Sequence, residues 1–328
     1  MESLYVILGK PFGLVMRALL SMGITNYALL IVIVTLIARL IMIPSSIGQQ
    51  KGMAKTQRMQ AKIRKIQEKY AGDQRKIQEE TQALYQREGY NPMNAGCAPL
   101  LVQFIVLFGL IGVIWYPLTN FLNIQENYRE ILIEAAKFLK YQAPLKQERF
   151  FELVVIEHIA DIQANKAAII ASGIKLDTIP EAVFNNIAKV DFTAFGIPLG
   201  IVPKEVKFGE QYSIVWAIPV ISTITTLGSS LYSTIKQKKS GGAAGQAAAS
   251  MGCMTVGMAA MSLYFVVSYP AGIGVYWIVS GLLGLASTVI IGQLYSPKKV
   301  LARVMVDETI ERRSRENNIK LVHNKEDK

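Results

Sequence analysis

Arg39 is the residue with the most distinctive chemistry in this sequence, because it is a charged side chain inside a long apolar segment. The segment runs from Tyr27 to Pro44 and consists mostly of Leu, Ile, Val and Ala. A charge at the centre of a membrane span costs about 2.5 to 3.5 kcal/mol, and each neighbouring Leu, Ile or Val offsets a few tenths of that. The segment can therefore insert with its arginine. The guanidinium either has a functional role, or it extends to the cytoplasmic headgroups or pairs with a helix carbonyl and has no further role.

Residue types that usually hold metals or perform catalysis are scattered. His158 and His323 are isolated, and Cys97 and Cys253 sit at the edges of apolar segments without metal-ligand spacing. The cysteines are expected to be small packing residues. The sequence predicts no metal, no cofactor and no catalytic residue.

Polar residues recur in the other apolar segments, whereas Asp and Glu are absent from all of them. No carboxylate within these segments can therefore neutralise Arg39. The pattern predicts a hydrated cavity, although most of the hydroxyls individually fit ordinary hydrogen bonding between helices. The polar residues are Thr35, Gln103, Ser222, Thr223, Thr225, Thr226, Ser280 and Ser287.

The chain that positions these residues is predicted to be an all-α polytopic membrane protein. It has 328 residues, of which 51% are apolar and only 18% charged, a composition typical of several membrane helices. Five segments are expected to span: 24–48, 97–116, 212–232, 251–268 and 275–296. Residues 1–23 are interpreted as too interrupted to span, and as a helix lying in the outer interface. They lack the pattern of a cleaved signal peptide, so no leader is expected.

The polar segments between the spans have their own patterns. Residues 49–92 are predicted to form a helical hairpin, with an apolar seam at Met59, Ile63, Ile66 and Tyr70. Gly72 is expected to end its first helix and Asp73 to cap the second. The region 117–211 is predicted to be a helical loop in which Thr178 and Glu181 form a capping box. The remaining segments are a loop at 233–250, a tight turn at 269–274 and a basic tail at 297–328.

The distribution of charge predicts the orientation. Residues 49–92 carry ten Lys and Arg against five Asp and Glu, whereas 120–210 carry ten against twelve and the tail nine against six. Cytoplasmic loops carry the excess of Lys and Arg. We therefore expect the N-terminus outside, the hairpin and tail in the cytoplasm, and the region 117–211 outside.

Four motifs make the chain similar to the YidC-type membrane protein insertases, a family that includes the Oxa and Alb proteins of organelles. They occur in the family's order: residues 35–44 (TLIARLIMIP), 82–85 (QALY), 91–103 (NPMNAGCAPLLVQ) and 269–277 (YPAGIGVYW). The resemblance covers about residues 24–116 and 190–296. An insertion at 121–187 departs from the family pattern and has no assigned role.

The resemblance implies a five-helix bundle in a bacterial cell membrane, with a hydrophilic groove open to the cytoplasm and no catalytic chemistry. Such a protein acts as insertase and chaperone for nascent membrane proteins. Its implied partners are the ribosome and the targeting machinery, through the hairpin and basic tail, together with the lipid bilayer and a Sec translocon. The groove residues expected from the motifs and the polar pattern are Arg39, Thr35, Gln103, Trp277, Tyr276 and Met258.

Some of these residues also fit ordinary structural roles that involve no contact with a substrate. Tyr276 and Trp277 fit an interfacial aromatic belt. Met258 shares a helix face with Met251, Met254 and Met261, which fits ordinary packing as well as a deformable surface for apolar helices.

The two alternative functions are a solute transporter or channel and a scaffold for assembling membrane complexes. A solute transporter or channel is expected to show inverted repeats or a coupling carboxylate in the membrane, and the sequence shows neither. A scaffold for assembling membrane complexes differs from an insertase only by a functional test.

Overall fold

The computed structural model describes residues 2–88, 92–239, 257 and 260–294, and isolated residues between 302 and 316. Long helices alternate with a region of short ones. The helices are α1 (Glu2–Ser21), α2 (Tyr27–Ile41), α3 (Ile43–Lys69), α4 (Gln74–Arg87), α5 (Pro92–Trp115), α6 (Glu126–Phe138), α7 (Phe151–Glu157), α8 (Ile159–Ala164), α9 (Lys166–Ala171), α10 (Glu181–Ala188), α11 (Ala217–Lys239), α12 (260–268) and α13 (Ala271–Leu294). Two strands, β1 (Thr193–Ala194) and β2 (Ile197–Pro198), pair antiparallel.

The chain divides into two compact units. The first comprises residues 1–41, 101–232 and 251–285, and the second comprises 42–100, 233–250 and 286–328. The first unit contains a continuous core of buried apolar side chains contributed by α1, α2, α5 and the region 117–211. The second contains the helical pair α3 and α4.

Three helical segments in the described part of the chain are long and apolar enough to cross a membrane: Leu4–Ser21, Ser213–Tyr232 and Ala271–Leu294. The helices Tyr27–Ile41 and Gln103–Trp115 are apolar but shorter. The prediction of an all-α membrane protein is thus confirmed in outline, apart from the two-residue strands. The count of five spans stays a prediction, since residues 251–256, 258 and 259 of the fourth predicted span lie outside the described residues.

Residues 1–23 are expected to be too interrupted to span a membrane, but the structure shows a continuous helix, α1, over most of them. Lys10, Pro11 and Arg17 do not break it, and by length and composition it qualifies as a span. It packs closely against the end of α5, where Gly112 faces the backbone of Tyr5. Glycine permits this approach because it has no Cβ. The position of α1 relative to the membrane stays a prediction.

The boundaries near Pro44 and at the turn 269–274 follow from local chemistry. Helix α2 ends at Ile41, and Pro44 lies in the first turn of α3, where its missing N–H costs nothing. Helix α13 begins at Ala271, so the predicted turn is four residues too long. Gly272 and Gly274 belong to the helix, where they pack against Ile114 and Val266, each at 3.1 Å from the position of an added Cβ.

Helices α3 and α4 of the second unit are joined by a turn at Gly72 and Asp73, the two residues expected to end one helix and cap the next. Gly72 has a φ of +95° between α3 and α4, and the Asp73 carboxylate accepts a hydrogen bond of 3.0 Å from the backbone N–H of Lys76. Met59 and Leu84 are buried. Lys62 and Glu88 form an ion pair of 2.6 Å across the hairpin.

The region 117–211 folds into a compact layer of short helices, α6 to α10, over a shared apolar core. The predicted capping box in it is wrong. The Thr178 hydroxyl donates to the carbonyl of Lys175, and Pro180 occupies the N-cap position of α10 without a side-chain bond.

A strap formed by residues 191–201 joins this region to the ends of two long helices. At α2, Tyr27 N–H donates to the carbonyl of Asp191 at 2.9 Å, and Asp191 N–H donates to that of Thr25 at 3.0 Å. At α13, the N–H groups of Ala271 and Gly272 donate to carbonyls of the same strap, at Ile201 and Leu199.

Candidate functional site

Arg39 lies in the last turn of α2, on a half-buried part of the helix surface. Its Nη2 donates to the backbone carbonyl of Ser280 in α13 at 3.2 Å and to the Ser280 hydroxyl. The contact joins residues that are 241 positions apart. The guanidinium is therefore held inside the helical bundle by a defined partner.

Tyr276 completes this polar group one turn before Ser280 on α13. Residues at i and i+4 lie on the same face of a helix. Both side chains are buried, at 3% and 8% exposure, and the Tyr276 hydroxyl is close enough to interact with Ser280 and with the charge of Arg39. We call Arg39, Tyr276 and Ser280 the arginine cluster.

The charge of the cluster is not neutralised by the described residues. No Asp or Glu among them lies within ion-pair distance of Arg39, and its Nη1 and Nε donate no hydrogen bond to them. A guanidinium has five N–H donors, of which the cluster uses only part. The remaining donors can hold water or an anionic group.

Thr35 and Trp277 lie close to the cluster along their helices. Thr35 is one turn before Arg39 and only 1% exposed, and its hydroxyl donates to the carbonyl of Ile31 at 2.6 Å. Trp277 is half-buried, with its ring stacked on that of Phe265 in α12 at 6.0 Å and edge-on to that of Tyr276 at 5.5 Å. Thr35 therefore contributes a small buried surface, and Trp277 contributes an aromatic wall.

The last two predicted residues are Gln103 and Met258. Gln103 is half-buried on α5, and no hydrogen bond in the described part of the chain joins it to Arg39. Met258 lies outside the described residues, as do Met251 and Met254. Their predicted roles stay predictions.

Ser280 is the partner of Arg39 that the sequence did not single out. In the sequence it is one of eight polar residues that recur in the apolar segments. The available signal was its spacing of four from Tyr276, which places the two hydroxyls on one face. Its pairing with Arg39 carries no local signal, since the two are distant in sequence.

Further hydroxyls follow the contact between α11 and α13. An added Cβ at Gly281 would lie 2.9 Å from Oγ1 of Thr225, which shows how closely the two helices approach. The Ser229 hydroxyl donates to the carbonyls of Thr225 at 3.0 Å and Gly281 at 3.3 Å. The buried Ser222 hydroxyl has no hydrogen-bond partner among the described residues. Polar atoms thus line this apolar interface, and one has capacity for water.

These features define the class of protein: a multi-pass helical membrane protein with an arginine inside its bundle. A sequence model of the 60Kd inner membrane protein family matches residues 19–299. Since that is most of the chain, the chain belongs to this family.

Curated relatives agree with the family. The chain is 37% identical over 89 residues to "Membrane protein insertase YidC" of Fusobacterium nucleatum, which is 27% of this chain and 43% of the relative. It is 40% identical over 93 residues to "Membrane protein insertase MisCA" of Bacillus subtilis, covering 27% and 35%. It is 38% identical over 100 residues to "Membrane protein insertase YidC" of Clostridium perfringens, covering 30% and 40%. The matches span less than half the length of these relatives.

Proposed function

We propose that this chain is a membrane protein insertase, which moves nascent membrane proteins from the cytoplasm into the bilayer. The observation that carries the proposal is the Arg39 guanidinium, held by Ser280 and left without a carboxylate partner among the described residues. The family and the names of the relatives support the same function.

The arginine cluster supplies an attraction that the hydrocarbon lacks. A polar segment that crosses unaided leaves unpaired groups in hydrocarbon, at a cost of several kcal/mol each. A hydrated groove beside Arg39 shortens that path, and the charge attracts acidic residues of the segment. Fixation by Ser280 means that little reorganisation is needed when the substrate arrives.

The apolar part of the substrate then moves into lipid past Trp277 and Phe265. Their stacked rings offer a smooth apolar surface. The methionine face that includes Met258 is a further deformable surface on this path. Thr35 and Gln103 complete the proposed groove, and no covalent step, metal or cofactor is required.

The orientation proposed from the loop charges places the N-terminus outside and the C-terminus in the cytoplasm. The hairpin α3–α4 then faces the cytoplasm, where it and the basic tail can meet the ribosome and targeting machinery. A Sec translocon is a further candidate partner. Arg64 and Arg75 are exposed and each pairs with a glutamate four residues further on, so it is the excess of Lys and Arg in the hairpin that fits an electrostatic contact.

The proposal is tested by insertion into liposomes that contain only the purified protein. The substrates are two single-span proteins that differ in one feature, an acidic or a neutral translocated segment. Arg39→Glu is expected to reduce insertion of the acidic substrate at least tenfold and of the neutral one much less, whereas Arg39→Lys retains most activity. Lys175→Glu, an equal charge reversal at an exposed site in the region 117–211, is the control.

Unchanged insertion of the acidic substrate by Arg39→Glu would remove Arg39 from the mechanism. Equal loss for both substrates would indicate a structural role for the arginine. If the wild-type protein inserts neither substrate, and its depletion leaves small membrane proteins normally inserted but unassembled, the scaffold function is favoured.

A further inference from the structure

The hairpin β1–β2 ends in a turn with an unusual residue at its tip. Phe195 and Gly196 both have positive φ values, of 51° and 78°, as in the two-residue turns that favour Asn-Gly. A phenylalanine is disfavoured in this left-handed conformation. Its side chain is fully exposed at 105%, so no packing within the described protein compensates for the strain.

The hairpin is located where two candidate spans begin. Ile197 packs in a cluster with Val215 just before α11, with Ile218 in the first turn of α11 and with Ala271 at the start of α13. The candidate spans themselves start at Ser213 and Ala271. The tip of the hairpin is therefore close to the level at which these helices leave the membrane.

A second exposed phenylalanine lies at the same end of α11. Phe208 is 80% exposed, and its ring stacks on that of Trp216 at 5.2 Å. The Trp216 indole N–H donates to the carbonyl of Val206 at 2.9 Å. An indole that is apolar on one side and hydrogen-bonded on the other is typical of the membrane interface.

An apolar groove continues from Trp216 along the helices. It has a volume of about 390 Å³, runs between α11 and α12, and is lined by six apolar residues, among them Trp216 and Leu263, and by Thr223, whose hydroxyl donates to the carbonyl of Pro219. A groove that begins at an interfacial tryptophan and runs along a span has the shape and chemistry to hold a lipid acyl chain. This continuity favours lipid over a protein partner as the occupant of the aromatic surface.

We propose that Phe195 and Phe208, which we call the aromatic tips, insert into the boundary between headgroups and acyl chains on the side of the membrane that carries the region 117–211. Phe195 anchors the strap 191–201 to the lipid surface, and Phe208 anchors the segment that leads into α11. The inference needs no assumption about insertase activity, since it depends only on the chain being a membrane protein.

The test places an environment-sensitive fluorophore on each tip in the full-length protein. Phe195→Cys and Phe208→Cys are made in a background with Cys97→Ala and Cys253→Ala, labelled with nitrobenzoxadiazole and reconstituted in phosphatidylcholine–phosphatidylglycerol liposomes at low protein density. Ile170→Cys on α9 is the control, because Ile170 is also an exposed apolar residue of the same region.

Both tips are expected to show blue-shifted emission and at least twofold stronger quenching by nitroxide lipids than position 170. Water-like emission and iodide quenching equal to those at position 170 would overturn the proposal. Blue-shifted emission without quenching by nitroxide lipids would also overturn it, and would assign the tips to a protein contact or a second copy of the chain.

A second variant separates lipid contact from folding. Phe195→Asn supplies the residue that the turn favours, so the midpoint of thermal unfolding in detergent is expected to stay the same or rise. A lower midpoint would show that Phe195 packs within the protein and would contradict the proposal.

Discussion

Arg39 donates through Nη2 to both oxygens of Ser280, the backbone carbonyl at 3.2 Å and the side-chain hydroxyl. A substitution of Ser280 can remove the hydroxyl acceptor, but the backbone carbonyl stays. One of the two acceptors of Arg39 is therefore independent of the side chain at position 280. Charge-assisted bonds of this kind are about twice as strong as neutral ones. The position of the charge therefore depends on both helices together.

Ser280→Ala tests this dependence. The variant removes the hydroxyl but keeps the carbonyl, so we expect a threefold to tenfold loss in insertion of an acidic substrate, smaller than the loss caused by Arg39→Glu. A hydrogen bond to a charged group contributes about 1.5 to 3 kcal/mol, and retention of one acceptor lowers the effect. The initial rate of insertion into liposomes measures the loss. Ser287→Ala, at a second serine of α13 that is half-buried, is the control, and an equal loss there would contradict a specific role for Ser280.

Asn26 is predicted to control the attachment of the strap to α2. Its amide donates to Asp191 Oδ2 at 2.6 Å, and its Oδ1 caps α2 by accepting from Leu29 N–H at 2.9 Å. Asn26→Ala loses both bonds, together with a third that the amide donates to the Thr193 carbonyl at 3.2 Å, and is expected to lower the free energy of unfolding by about 1 to 3 kcal/mol. Denaturation in detergent micelles measures the change.

Exchanging the side chains of Asn26 and Asp191 distinguishes the bond between them from the capping bond of Asn26. Asn26→Asp keeps the cap acceptor but places two carboxylates in contact, so it should destabilise the protein. Adding Asp191→Asn should restore most of that loss. If the double variant is as unstable as Asn26→Asp alone, the contact with Asp191 does not stabilise the strap.

Glu152 predicts a specific dependence of stability on pH. It is 3% exposed, and burial raises its pKa, although hydrogen bonds from Thr119 and the charge of Arg129 partly oppose the rise. Between the ordinary carboxyl pKa and the raised one, the folded state binds more protons than the unfolded state. The contribution of Glu152 to the free energy of unfolding therefore decreases as pH increases through that window.

Glu152→Gln should remove this part of the pH dependence. Chemical unfolding in detergent from pH 4 to pH 8 gives the free energy of unfolding of the two proteins as a function of pH. Between the ordinary and the raised pKa, the slope of this curve should be less negative for the variant than for the wild type. Burial also raises the pKa of Glu157, but this contribution is common to both proteins and cancels. Parallel slopes would contradict the assignment to Glu152.

Gly112 is predicted to be essential for the packing of α1. A Cβ at this position would lie 2.9 Å from the carbonyl carbon of Tyr5. Gly112→Ala forces backbone to move and is expected to destabilise by about 1 to 3 kcal/mol. Gly228→Ala in α11 is the control, because nothing lies within 4 Å of its added Cβ. It should stabilise by up to about 1 kcal/mol through helix propensity, and equal effects of the two would contradict close packing at Gly112.

Local signals predicted the hairpin α3–α4 well, because Gly72 and Asp73 act within one turn of their own positions. The same reasoning failed at Thr178, where Pro180 takes the cap position and the hydroxyl bonds backward. The two-residue strands have too few residues for a periodic pattern. Arg39 was identified by its unusual surroundings, but its partner Ser280 depends on the packing of α2 against α13, which no local pattern encodes.

The strap 191–201 is held to Thr25, Tyr27, Ala271 and Gly272 mainly through backbone N–H and carbonyl groups. Such bonds depend on the path of the chain and not on the identity of most side chains. Substitutions along the strap can therefore accumulate in related sequences without breaking its backbone hydrogen bonds to α2 and α13. A proline at a donating position, or one inserted or deleted residue, would break them. Constancy of length, more than constancy of sequence, is the feature that selection should preserve in this segment.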